Sequence, residues 1–126
     1  MTHFMSSFRP QVYALLRIVL GLLFALHGAQ KFGIILDVRP ETPDFITYIA
    51  GPIEIVAGLM IAIGFMTHWA AFLASGLMAA AYWMAHGTTA FLPQENGGEL
   101  AVLYCFAFLF ISAEGSGIWS FDASRK

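Results

Sequence analysis

The chain has 126 residues, 59% of them hydrophobic and only 11% charged, against roughly 45–50% apolar and about 25% charged in a soluble domain. A water-soluble fold of one-domain length has too little interior to hide twelve phenylalanines with the accompanying Leu, Ile and Met, so the expected solvent is a lipid bilayer. A net charge of −2, a pI near 6.0 and the absence of a basic cluster exclude nucleic acid as a partner, and the single cysteine, Cys105, excludes an intramolecular disulfide and dithiol chemistry within this chain.

About 20 apolar residues cross a bilayer as a helix, and four segments qualify. The first runs over 12–36 and contains "IVLGLLFAL", a run without a polar side chain. No small-x-small cleavage site follows Leu26, so this run is read as a membrane span and not a signal peptide. The second runs over 45–66 with Pro52 inside it. Thr42-Pro43 has the form of a cap followed by proline at the first helical position. Either the helix starts there and bends at Pro52, or a short interfacial helix ends near Ala50 and the span starts at Pro52. The third runs over 68–86, joined to the second by a connection as short as Thr67 and His68, which makes the two an antiparallel hairpin. The fourth runs over 98–116.

The expected fold is therefore all-α: residues 1–126 as one integral membrane domain, a four-helix bundle of up-down-up-down topology. An even number of spans puts both termini on one side. Arg9, Arg17, Arg125 and Lys126 cluster there, whereas the long loops "DVRPETPD" and "GTTAFLPQENGG" are acidic or neutral, so the termini are placed in the cytoplasm. Small residues recur at helical spacing (Gly21, Ala25 and Gly28; Gly51 and Gly58; Ala71, Ser75 and Ala79). They allow close helix packing in lipid, and permit a homodimer without requiring one.

Polar residues inside the spans carry the functional signal, because each charge costs about 2.5–3.5 kcal/mol at the bilayer centre and normally faces a partner. At the cytoplasmic level Arg17 and Glu114 are placed to form a structural ion pair, or else to reach headgroups and water separately. At the outer level, His27 and Lys31 share one face of the first helix at i and i+4, with His27 roughly 10 Å from the helix end. Glu54 enters from the second helix, His86 closes the third, and Asn96 and Glu99 open the fourth. A faint internal repeat connects these positions: "HGAQKF" and "HGTTAF" end the first and third spans, and "GPIE" and "GGE" open the second and fourth. Bland readings exist for each. Asn96-Gly97-Gly98-Glu99 fits a capping box, Glu54 can satisfy amides near a helix start, His86 can be a boundary residue, and Lys31 can snorkel. His27 is the residue hardest to explain this way. Three arrangements remain: a divalent metal site from His27, Glu54, His86 and Glu99, although no His-x-x-His or Glu-x-x-His spacing is present; a pocket for a quinone-like head group or an acidic substrate, with Lys31 and His27 as donors; or a polar network that only fixes a scaffold. No serine or cysteine stands beside the histidines in a nucleophile motif, which argues against hydrolysis.

The stretches "LLRIVLGLLFALHGAQKFG", "GPIEIVAGLMIAIG" and "GGELAVLYCFAFLFISAEGSGIWSFD" resemble the DoxX family of small four-span membrane proteins, over about residues 15–122. The resemblance rests on Arg17, Gly21, His27-Gly28 and Lys31, on Glu54 with Gly58 and Gly64, on Gly98-Glu99-Leu100, and on Gly115-Ser116-Gly117 with Ser120-Phe121-Asp122. It implies a multi-pass protein of the cell membrane associated with an oxidoreductase system, contacting a quinone or a redox partner protein, and it supplies no catalytic residues. With no flavin motif and no evident pair of haem ligands, the redox centre would belong to a partner or be the quinone itself.

Overall fold

The computed structural model describes residues 3–34, 44–87 and 89–125. Thr42-Pro43 and most of the first long loop lie outside them. Within the described residues all regular structure is helical: a 3-10 turn (Ser6–Phe8), then α1 (Arg9–Lys31), α2 (Asp44–Ile63), α3 (Thr67–Ala85), α4 (Pro93–Asn96), α5 (Glu99–Glu114) and α6 (Phe121–Ser124). Helix α2 runs through Pro52 without interruption, which decides between the two alternatives for that segment. The proline leaves the Tyr48 carbonyl without a helical donor, at a residue on the exposed side of the helix. The α2–α3 turn is Gly64–Met66, with Gly64 and Met66 left-handed (φ +74° and +49°). Thr67 and His68, expected in the connection, belong to α3.

The four long helices pack as two antiparallel pairs, α1 on α2 and α3 on α5, joined through α2 and α3. Backbone-to-backbone contact sets the first pair. A Cβ added at Gly21 would lie 2.6 Å from the Gly58 carbonyl oxygen, and one at Gly58 would lie 2.6 Å from that of Gly21. Gly28 meets the Gly51 carbonyl in the same way. Hydrogen bonds stitch the second pair: the Ser75 hydroxyl donates to the Cys105 carbonyl (2.7 Å), and that of Ser112 to the His68 carbonyl (2.9 Å). Between the pairs lies a core of Phe24, Ala57, Ile61, Ala71, Ala74, Met78, Tyr104, Phe108 and Ile111. The Phe24 and Phe108 rings are 4.8 Å apart, and Tyr104 stacks on Phe108 at 5.5 Å.

The exterior is as apolar as the core. Leu15, Val19, Leu22 and Leu26 of α1, Val56, Leu59 and Ile63 of α2, Phe72, Leu73 and Met84 of α3, and Leu103, Phe106, Leu109 and Phe110 of α5 all face outward. Water does not accommodate an apolar surface of this extent. With the 3-10 turn before it, α1 forms a 26-residue segment (Ser6–Lys31) long and apolar enough to cross a bilayer, and Thr47–Ile63 is a shorter apolar helix.

At the end of the molecule that carries the chain termini, the residues after α5 fold back over the α2–α3 turn. Arg17, fully buried, reaches this layer from α1. Its guanidinium donates to five main-chain carbonyls: Ile61 (3.0 Å) and Ala62 (3.4 Å) in the last turn of α2, and Ser116, Ile118 (3.1 Å) and Trp119 (2.7 Å) beyond α5. Glu114 is exposed and forms no ion pair with Arg17. The expected Arg17–Glu114 bridge is replaced by a carbonyl cage, which matches the fork of guanidinium donors. Asp122 completes the clasp by accepting from the N–H of Met66 (3.0 Å) and of Thr67 (3.2 Å) at the start of α3.

Candidate functional site

At the opposite end, the ends of α1 and α3 and the beginnings of α2 and α5 surround a cavity of about 270 Å³. Phe24, Leu77, Met78, Ala81, Leu100 and Ala101 form apolar walls. The polar lining is His27 and Lys31 from α1, Glu54 from α2, His86 at the end of α3, and Tyr104 from α5. Four of the six candidate residues thus share one cavity.

Lys31 and Glu54 are bonded to each other. The Lys31 ammonium lies 3.0 and 2.9 Å from the two Glu54 carboxylate oxygens, and Glu54 is only 3% exposed. This is the one ion pair among the described residues. Lys31 therefore does not snorkel away from the protein. Burial of Glu54 without a cation would carry the full desolvation cost, and the lysine one turn from His27 on the same face removes it. His27 lies about 6 Å from the end of α1, closer than expected, because α1 ends at Lys31. It makes no hydrogen bond within the described residues. Its ring stands edge-on to that of Tyr104, centroids 5.7 Å apart. Tyr104 is 5% exposed, and its hydroxyl likewise makes no hydrogen bond within the described residues.

His86 is held differently. Its Nδ1 is 3.1 Å from the Asn96 carbonyl oxygen. Asn96 does not line the cavity; it organises the rim, donating to the Tyr82 hydroxyl (2.9 Å) and the Ala90 carbonyl (3.3 Å) and accepting from the Gly98 N–H (2.8 Å). The expected capping box is not formed, since Gly98 occupies the cap position of α5 without a side-chain cap. Glu99 is exposed and outside the cavity. The position expected for a second glutamate is taken by Tyr104, which sequence reasoning missed. The available signal was a tyrosine in mid-span, a residue whose hydroxyl needs a partner when buried.

The four residues of the expected metal set do not come together in this placement. With Glu54 engaged by Lys31, His86 turned to the Asn96 carbonyl and Glu99 outside, no three His, Cys, Asp or Glu side chains among the described residues converge closely enough to hold an ion. The chemistry the cavity offers is hydrogen bonding at one side and apolar contact on the others.

A family model for DoxX matches residues 12–87, which hold α1 except its first three residues and all of α2 and α3. The chain belongs to the DoxX family. It is accordingly a membrane protein, in keeping with its apolar exterior. It is also similar to an "Uncharacterized protein" of Haemophilus influenzae, 37% identical over 128 residues that cover 94% of this chain and 93% of the relative. No solved structure matches it. The DoxX match spans three of the residues around the cavity from the first two helices, His27, Lys31 and Glu54, and also His86, whereas Tyr104 lies beyond it.

Proposed function

We infer that this DoxX protein is a four-span bundle of the cell membrane with cytoplasmic termini, serving as a ligand-binding accessory subunit of a membrane redox system. The cavity bounded by His27, Lys31, Glu54, His86 and Tyr104 is its binding site for a small lipid-soluble molecule of the quinone type. The observation that carries the reading is the cavity's composition: apolar and aromatic walls with a few convergent polar groups at one side, as binding sites for such molecules are built. The apolar exterior of all four long helices supports their immersion in lipid. Redox association comes from the DoxX resemblance, with electrons handled by the ligand or a partner protein, because the chain's own side chains offer no redox centre of their own apart from the isolated Cys105.

The test is direct. The protein purified in mild detergent should carry a quinone that mass spectrometry of its lipid extract identifies, at a level that falls severalfold in His27→Ala. An extract without quinone, together with no saturable binding on titration, would sink the reading.

A further inference from the structure

We propose that the groove between α1 and α5 at the terminal end of the molecule seats one phospholipid with a zwitterionic, primary-ammonium head group, its phosphate on Arg9 and its ammonium on Glu114. The groove lies at the opposite end from the cavity, and the proposal does not depend on what fills that cavity.

Three observations carry it. First, the groove is large and graded in polarity. Its volume is about 440 Å³, within the range of ligand pockets, about 300–1,000 Å³. Arg9 opens α1 and Glu114 closes α5, so both charges stand at the terminal end. Farther along the helices come Val12 and Leu16 on α1 and Phe110 on α5. Leu16 is seven residues from Arg9, about 10 Å along the helix axis. Charge at the end and apolar surface toward the bilayer core is the order in which a lipid presents its head and its chain. Second, the two charges are not used by the protein. Ser6 and Tyr13 also line the groove, but the Ser6 hydroxyl donates to the His3 carbonyl and the Tyr13 hydroxyl to that of Gly115. Arg9 and Glu114 are exposed and form no ion pair, the one pair among the described residues being Lys31–Glu54. Third, the seam is open to lipid. Helix α1 packs on α2 and α5 on α3. Across the seam the Tyr13 and Phe110 rings meet edge-on, centroids 5.9 Å apart, while Val12, Leu16 and Phe110 remain exposed.

The charges select among lipids. An anionic phospholipid gains Arg9 and brings its net negative charge against Glu114. A choline lipid offers Arg9 a phosphate, but its quaternary ammonium has no N–H to donate. A primary ammonium donates a charge-assisted hydrogen bond to the Glu114 carboxylate while the phosphate accepts from the Arg9 guanidinium. A free phosphate ion leaves both Glu114 and the apolar wall without a partner.

The experiment reconstitutes the full chain in nanodiscs of equal parts phosphatidylethanolamine, phosphatidylglycerol and phosphatidylcholine with identical acyl chains, and native mass spectrometry then counts the lipids that stay bound. Phosphatidylethanolamine is expected to be retained over the other two. Glu114→Gln should lower its retention about two- to fivefold, the range of one exposed ion pair, and bring it level with phosphatidylcholine. Arg9→Gln should lower the retention of both. Glu114→Lys should turn the preference to phosphatidylglycerol, a reversal that a merely structural role would not produce. Both side chains are exposed and unbonded, so melting temperatures should stay unchanged, and Glu114→Gln carries the test alone should the charge reversal perturb folding. Preferential retention of phosphatidylglycerol by the unaltered chain overturns the proposal in favour of an anionic-lipid site on Arg9. Retention without head-group preference, or a preference that survives Glu114→Gln, also overturns it and leaves only boundary lipid. The quinone content of the purified protein reads the cavity separately, so each conclusion can fail without the other.

Discussion

At the scale of single residues, two charges at the terminal end of the molecule show how hydrogen bonds to the main chain replace ion pairs. The carbonyl partners of Arg17 are not legible in the sequence, because a reading that lists side chains leaves out main-chain oxygens. The last carbonyls of α2 carry the negative end of the helix dipole and have acceptor capacity to spare, which makes them natural acceptors for a buried guanidinium. Asp122, beyond the last span, is the mirror case, binding free N–H groups at the start of α3. Partial burial pushes its pKa up, but the bonds from Met66 and Thr67, the Thr67 hydroxyl and the nearby Arg125 outweigh this and hold the carboxyl below its ordinary 3.8. A pKa depressed by folding stabilises in full above the unfolded value and ceases to do so as pH falls through the folded value. Thermal unfolding of the detergent-solubilised protein should therefore lose stability below about pH 4. Asp122→Ala should cost about 1 kcal/mol at neutral pH, as loss of a helix cap does, and should flatten that acid arm. An unchanged acid arm in the variant would show that Asp122 does not supply it.

At the scale of helices, spacing of small residues predicted where backbones would meet, and the glycines of α1 and α2 meet there. Gly58→Ala would put a methyl group 2.6 Å from both the Ala25 nitrogen and the Gly21 carbonyl oxygen. Two packed backbones must separate to admit it, and overpacking of this kind costs about 1–3 kcal/mol. Gly76 of α3 has nothing within 4 Å of the same position, so Gly76→Ala should be neutral or stabilising by up to about 1 kcal/mol. Parallel unfolding curves for the two variants check the contrast; equal effects would mean that the α1–α2 contact is looser than described. What spacing does not give is the rotation of a helix that is apolar all round. On α5, Leu100, Ala101 and Tyr104 lie on one face and line the cavity. Glu99 is five residues from Tyr104, a rotation of about 140° at 3.6 residues per turn, and so it points away. On α1 the polar pair His27 and Lys31, one turn apart, lies on the face that lines the cavity. The internal repeat is matched by the pairing of α1 with α2 and α3 with α5, and by both histidines reaching one cavity, but it breaks at its second glutamate.

At the scale of the whole molecule, the question is how many helices cross the bilayer. Helix α1 with its preceding turn can do so alone. Helices α2, α3 and α5 have 20, 19 and 16 residues, about 30, 28 and 24 Å at 1.5 Å per residue, against a hydrocarbon core of about 30 Å. The shortest falls a few ångströms short, a mismatch that local thinning of the bilayer accommodates at modest cost. Its outward Leu103, Phe106, Leu109 and Phe110 have no other solvent that suits them. Four crossings place the α3–α5 connection and the C-terminus on opposite sides; a single crossing by α1 places them on the same side. Cysteines introduced one at a time at Glu95 and Ser124, in a Cys105→Ala background, separate these cases with a membrane-impermeant maleimide. With four spans and cytoplasmic termini, Glu95→Cys reacts in intact cells and Ser124→Cys reacts only after permeabilisation. Reversal of the two patterns would keep four spans and invert the orientation, placing the cavity at the cytoplasmic face. Identical behaviour at both positions would leave the two connections on one side and end the four-span topology, and with it the bilayer placement of the cavity.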